Sequence, residues 1–132
     1  MILGIGIDAV DISRFTDFHE KPKDQLARLF SPAEIDYCLK TPGKSAEHFA
    51  ARFAAKEAFL KALSNAYPEK NFALLTICKY AQVNHHANSA PYLGIDWASL
   101  KEIPTNTANI RLHLSLTHTT NTATAFVVIE QI

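Results

Sequence analysis

"RFAAKEAFLKAL", Arg52 to Leu63, decides how this chain folds. Alanine, leucine, lysine and glutamate are strong helix formers, and nothing in the stretch breaks a helix. Phe49, Phe53, Leu60 and Leu63 recur at helical spacing and mark an apolar stripe, which Phe59 and the alanines widen. Over residues 49–63 such a helix runs about 22 Å, at about 1.5 Å per residue. The charges inside it admit two readings. Arg52 and Lys56 lie one turn apart on one face, and Glu57 and Lys61 one turn apart on the next. On a solvated rim such spacings contribute only about 0.2–0.5 kcal/mol each, with the acid N-terminal in the favourable order. Alternatively, a carboxylate beside ammonium and guanidinium groups suits a metal–phosphate complex, the acid taking Mg²⁺ and the bases the phosphate oxygens. The flanking alanines let another element approach closely.

Working outward, "SPAE" at Ser31–Glu34 is a helix start: Ser31 caps, Pro32 suits the first turn and Glu34 completes a capping box. That helix runs through "IDYCLK" and ends at "TPGK". Ser45 is placed to cap the long helix over roughly 46–63, with "SNAYP" marking its end. "DQLARLF" reads as a further short helix. Residues 2–12 read as a strand, with Leu3, Ile5, Ile7 and Ala9 on one face and Gly4, Gly6, Asp8 and Val10 on the other. Glycines before a carboxylate leave room either for another backbone or for a ligand. A second carboxylate is what an Mg²⁺ site at Glu57 needs, and Asp8 is the best candidate, with Asp11 in reserve.

Beyond Phe72, "LLTICKYAQV" is rich in β-formers and predicts a strand. "NHHANSAP" is a hairpin connection, Tyr92–Leu100 is ambiguous, and "PTNTAN" at 104–109 is a loop. "IRLHLSLTH" alternates, with Ile110, Leu112, Leu114 and Leu116 on one face, and "ATAFVVIE" is its return strand. Strand, helices and then antiparallel strands predict an α+β fold, an antiparallel sheet packed on the long helix, as one domain over 1–132.

The chain has 132 residues, 48% of them hydrophobic, enough for a real core. Its 13 basic and 13 acidic residues cancel, so no excess of positive charge calls for nucleic acid. Cys38 and Cys78 are not in a C-x-x-C pair, which argues against a zinc site and for a reducing cytoplasm. The apolar start lacks a basic n-region, and no apolar run reaches a membrane-spanning length. His85 and His86 form a loop pair without further ligands, and His19, His48 and His113 read as structural or exposed.

Taken in order, "GIGIDAVDISRF", "FSPAEIDYC", "ARFAAKEAFLKAL" and "LSLTHT" resemble the holo-[acyl-carrier-protein] synthases, the small 4′-phosphopantetheinyl transferases of bacterial fatty-acid synthesis, over essentially the whole chain. The resemblance implies an Mg²⁺-dependent enzyme that moves the phosphopantetheine arm of coenzyme A to a serine of acyl carrier protein and releases adenosine 3′,5′-bisphosphate. It also implies a homotrimer with active sites between neighbours. By the same resemblance Asp8 and Glu57 hold the metal, and Lys61 contacts the phosphates. Arg52 and His118 lie near the 3′-phosphate end of coenzyme A, with Lys44 adding to that patch. Arg14 meets the acidic carrier protein. Lys56 receives only a salt-bridge or supporting role.

The sequence departs from the family pattern in two loops. "SNA", Ser64–Ala66, stands where the family has Gly-Thr-Gly, and "SAP", Ser89–Pro91, stands where it has Gly-Lys-Pro. Asp11 occupies a position where glutamate is common. The loop departures are what favour the alternative, a non-catalytic module that binds coenzyme A or carrier protein. Intact Asp8, Glu57 and Lys61 favour the enzyme.

Overall fold

The computed structural model describes residues 1–103 and 106–132. Its elements run β1 (Ile2–Asp11), α1 (Lys23–Leu26), α2 (Pro32–Leu39), α3 (Ser45–Ala66), α4 (Leu74–Tyr80), β2 (Ala81–His85), β3 (Pro91–Ile95), β4 (Ile110–His118) and β5 (Thr122–Gln131). Antiparallel strands β1, β5 and β4 form one sheet in that order, and β2 and β3 form a hairpin sheet. The expected α+β architecture, an antiparallel sheet on a long helix, is the one observed.

The seam between β1 and α3 explains the two glycines. A Cβ on Gly6 would overlap the Ala58 carbonyl oxygen, and one on Gly4 would overlap that of Ala62. The glycines therefore make room for the helix backbone and not for a ligand. This close approach is what the alanine-rich face of α3 is for. Register then sets the rest of the inner face: Gly4 stands opposite Ile129, Gly6 opposite Val127, Asp8 opposite Ala125 and Val10 opposite Ala123. On the far side of β5, Leu112, Leu114, Leu116 and His118 continue those rows. Ala123, Ala125, Val127 and Ile129 are completely buried beneath α3. Phe30, Phe49 and Phe59 fill the remaining core around the helix.

Local signals fix some boundaries and miss others. The capping box forms as expected: the Glu34 amide donates to Ser31 Oγ, and the Ser31 amide to Glu34 Oε1. Ser45, by contrast, does not cap α3. It is the first helical residue, buried, and its hydroxyl has no partner among the described residues, because a 3-10 turn over Pro42–Lys44 leads directly into the helix. The helix also runs past Leu63, so "SNA" is its last turn, where Asn65 Oδ1 accepts a hydrogen bond from the Ile5 amide.

"LLTICKYAQV" is corrected most. Leu74–Tyr80 is helical and only Ala81 onward is strand. Ile77 and Cys78 are buried from a helix, so tertiary packing overrides their β preference. The hairpin connection at 86–90 is as expected, with Ser89 at φ 69°, in the left-handed region. Of the expected loop at 104–109, Pro104 and Thr105 lie outside the described residues, and Thr107–Asn109 form a 3-10 turn.

Candidate active site

Asp8 stands on the buried face of β1, at the point where the glycine seam opens. Lys61 of α3 reaches across to it. Its ammonium donates to Asp8 Oδ1 at 2.9 Å and to the Ile7 carbonyl at 3.0 Å. The lysine side chain is half exposed, whereas that of Asp8 is only 13% exposed. The other aspartate oxygen, Oδ2, is buried and has no partner among the described residues. A carboxylate oxygen left in that state is costly unless a cation or donor meets it.

Glu57 lies one turn before Lys61 on α3 and is partly exposed. Burial foremost, then the Asp8 charge, push its carboxyl above the usual carboxylate range, while Lys61 and Arg14 pull the other way. The expected Glu57–Lys61 pair is therefore replaced by Lys61–Asp8 across the seam, because β1 offers the ammonium both a carboxylate and a carbonyl. Two neighbouring carboxylates, one of them with an orphaned oxygen, form a donor set of the kind that takes a hard divalent cation together with phosphate oxygens. Among the described residues, no group of three or more such ligands exists.

Arg14 belongs to the same neighbourhood. It sits on a 3-10 turn after β1, its guanidinium 5.5 Å from the centre of the Phe53 ring, and its charge acts on Glu57.

A second group gathers at the start of α3. Lys44 precedes the helix, and Glu47 lies in its first turn. His118, last residue of β4 and opposite Ala123, is half exposed and places Nδ1 3.0 Å from Glu47 Oε1. Arg52 is buried, which corrects the reading of its face as a solvated rim. Its guanidinium lies 4.1 Å from the centre of the Tyr37 ring and donates to the His48 carbonyl, while Nε is buried with no partner among the described residues. Burial first and Arg52 second hold the His48 imidazole below its usual range. The structure thus brings Asp8, Glu57, Lys61 and Arg14 together, and Lys44, Arg52 and His118 together. Arg52 and Lys61 are separated by about 13 Å along the helix. A cleft of about 370 Å³ lined by Phe18, Lys21, Leu26, Arg28 and Leu75 contains none of these residues.

Lys56 takes the salt-bridge role that the sequence reading allowed it, but with a partner and a burial which that reading did not foresee. It is fully buried and pairs with Glu34 at 2.6 Å. Tyr37, Glu47 and His48 were not singled out for a role at the helix start. Their only sequence signal is proximity to a helix terminus, which does not say what packs there.

Residues 4–126 match the family model described as the 4′-phosphopantetheinyl transferase superfamily. The chain belongs to that superfamily. It is 40% identical to the holo-[acyl-carrier-protein] synthase of Trichlorobacter lovleyi, covering 98% of each chain. To that of Halothermothrix orenii it is 36% identical, covering 99% of each. A solved ACPS–CoA complex of Chronobacterium ammoniagenes matches with a TM-score of 0.79 at 28% identity, over 98% of this chain and 97% of that one. The chain is thus an enzyme of the holo-[acyl-carrier-protein] synthase family, as its ordered motifs imply.

Proposed function

We propose that this protein transfers the 4′-phosphopantetheine arm of coenzyme A to a serine of apo acyl carrier protein, in an Mg²⁺-dependent reaction that releases adenosine 3′,5′-bisphosphate, through one domain spanning 1–132. The observation that carries the reading is the meeting of Asp8, Glu57 and Lys61 across the β1–α3 seam, in a chain matched almost end to end by synthases. In the reaction the serine Oγ attacks the β-phosphorus of the pyrophosphate bridge. The bond from that phosphorus to the bridging oxygen breaks, and the bisphosphate leaves with the electron pair. Phosphoryl transfer of this kind depends on positioning and on charge neutralisation more than on covalent help.

The chain's own groups divide the work. Asp8 and Glu57 would hold Mg²⁺, which would supply charge neutralisation for the phosphate oxygens. Lys61 swings its half-exposed ammonium from Asp8 onto a phosphate oxygen. A water held by Glu57 takes the serine proton. Lys44, Arg52 and His118 receive the 3′-phosphate end. Arg14 meets the acidic carrier protein. Neither cysteine takes part: burial pushes the Cys38 thiol up to about 12 and the Cys78 thiol up to about 11, so thiolate is scarce.

Self-association completes the reading. Ile5, Ile7 and Phe126 are exposed on the outer face of the large sheet, with Ile7 directly opposite Phe126. An apolar row of this kind suits burial against further copies of the chain. A homotrimer with sites between neighbours would let the helix-start group of one copy serve the carboxylate group of the next. Buried free cysteines agree with a reducing, cytoplasmic setting. Among the described residues, no helix is long and apolar enough to cross a membrane.

The deciding experiment incubates the protein with apo acyl carrier protein, coenzyme A and Mg²⁺ and weighs the carrier protein by mass spectrometry. A gain of one phosphopantetheine supports transfer. No gain, alongside measurable coenzyme A binding, supports the non-catalytic module.

A further inference from the structure

Lys56 uses every donor it has. Its ammonium donates to Glu34 Oε1 at 2.6 Å, to the Leu29 carbonyl at 2.7 Å and to the Cys78 carbonyl at 3.3 Å. Glu34 is equally occupied. Oε1 also accepts from the Ser31 amide, and Oε2 accepts from the Val83 amide at 2.9 Å. Both side chains are sealed from solvent. One ion pair therefore joins α3 to the start of α2, the end of α4 and strand β2.

Stability alone explains such a pair poorly. Removing two charges from water is costly, and apolar side chains of similar volume commonly serve as well or better. What the pair supplies and apolar side chains do not is direction, since each hydrogen bond is satisfied in only one orientation of the helix. That orientation bears on the site. Glu57 lies about 100° round the helix from Lys56 and Ala58 about 200°. Ala58 abuts Gly6 of β1. The ion pair and the glycine seam thus grip α3 from opposite sides, with Glu57 on the flank between them.

We propose that Lys56 and Glu34 are positioning residues: their buried pair fixes the rotation of α3 and so aims Glu57 at Asp8. The inference rests on the transfer reading, in which those two carboxylates act together. Lys56 touches neither substrate nor metal, and it acts through the helix backbone.

The test compares K56M, E34Q and the double variant K56M/E34Q with L63A, a core truncation on the same helix. Each is assayed at a temperature where circular dichroism shows it folded. Two quantities are read besides stability: kcat and KM for coenzyme A, and the Mg²⁺ concentration giving half-maximal thermal stabilisation in the presence of coenzyme A. K56M and the double variant lower kcat by about tenfold or more, and raise the Mg²⁺ requirement, with little change in KM for coenzyme A. The double variant regains part of the melting temperature that K56M loses, because no unpaired carboxylate is left buried, yet it does not regain kcat. L63A loses stability but keeps its kcat per folded molecule.

The proposal is overturned if kcat returns with stability in the double variant, or if L63A loses as much kcat as K56M. Should K56M not fold, E34Q carries the test, since one face of its amide opposes the Val83 amide and breaks the alignment. It lowers kcat several-fold, and wild-type kcat and Mg²⁺ requirement in E34Q overturn the proposal. A wild-type protein that transfers nothing refutes the functional reading itself, whereas the positioning role fails separately, when wild type transfers and the variants merely track their stability.

Discussion

Two faces of α3 carry a lysine each, five residues apart, and the two lysines live in opposite conditions. Lys56 is sealed, with carboxylate and carbonyl oxygens on all its donors. Lys61 is half in water and holds one carboxylate whose second oxygen has no partner among the described residues. The first arrangement has no capacity to bind anything further. The second does, and beside it stands Glu57, kept above the usual carboxylate range by burial and by Asp8. In this molecule, complete satisfaction marks the scaffold, and incomplete satisfaction marks the place where a ligand is expected.

The contrast is broken most directly by removing each lysine in turn. K56M strands the Glu34 carboxylate in the core and lowers unfolding free energy by about 3–5 kcal/mol, measured by urea denaturation. The same experiment on K61M gives a loss of about 1 kcal/mol or less, because the Lys61 ammonium is half in water and an ion pair open to solvent on one side contributes little. Equal losses would erase the distinction between the faces. On activity the order reverses for the carboxylates of the seam: D8N lowers kcat by about 10²–10³-fold with melting temperature almost unchanged, read by carrier-protein mass spectrometry.

The seam itself is probed by G6A. Its new methyl overlaps the Ala58 carbonyl oxygen, so helix and strand must separate, at a cost of about 1–3 kcal/mol. Activity falls as well if the seam positions Asp8 against Glu57.

A pH series sharpens the same point. Glu57 has a raised folded-state pKa, so the native protein binds more protons than the unfolded chain between the ordinary carboxylate value and the raised one. Its contribution to stability is therefore full below the unfolded pKa and is lost as pH rises through the folded pKa. E57Q removes that dependence. The difference in urea midpoint between E57Q and wild type should grow in favour of E57Q across that window, then level off. A flat difference would mean that Glu57 is not desolvated in the free protein.

The smallest effect is expected at Ser89, far from the lysines in sequence. Its positive φ is a conformation that suits glycine, so S89G gains about 0.5–1 kcal/mol in thermal unfolding.

Much of this was legible beforehand. The long helix, the capping box at Ser31 and the alternating β4–β5 pair follow from short-range rules, since periodicity and caps involve residues a few positions apart. Asp8 and Glu57 were singled out differently, as carboxylates suited to a metal–phosphate complex and by the resemblance of the ordered motifs to a family. The helix at Leu74–Tyr80 was not legible: Ile77 and Cys78 have no marked helical preference, and the surface they cover comes from distant elements. Ser45 failed as a cap for a related reason, since a preceding 3-10 turn already continues into the helix.

By itself, then, the sequence determined the α+β class, the helix that organises it, and which carboxylates and bases to suspect, because those depend on local spacing and residue type. Only the tertiary structure decided what each charge does. It turned Lys56 inward to Glu34, 22 residues away, and sent Lys61 to Asp8, 53 residues away, instead of to Glu57 one turn off. The physical reason is that a charge chooses its partner by burial and distance in space. For Lys61 those are set by the closeness of β1 to α3, which two glycines and two alanines permit, and for Lys56 by the packing of α2, α4 and β2 on the opposite side of the helix.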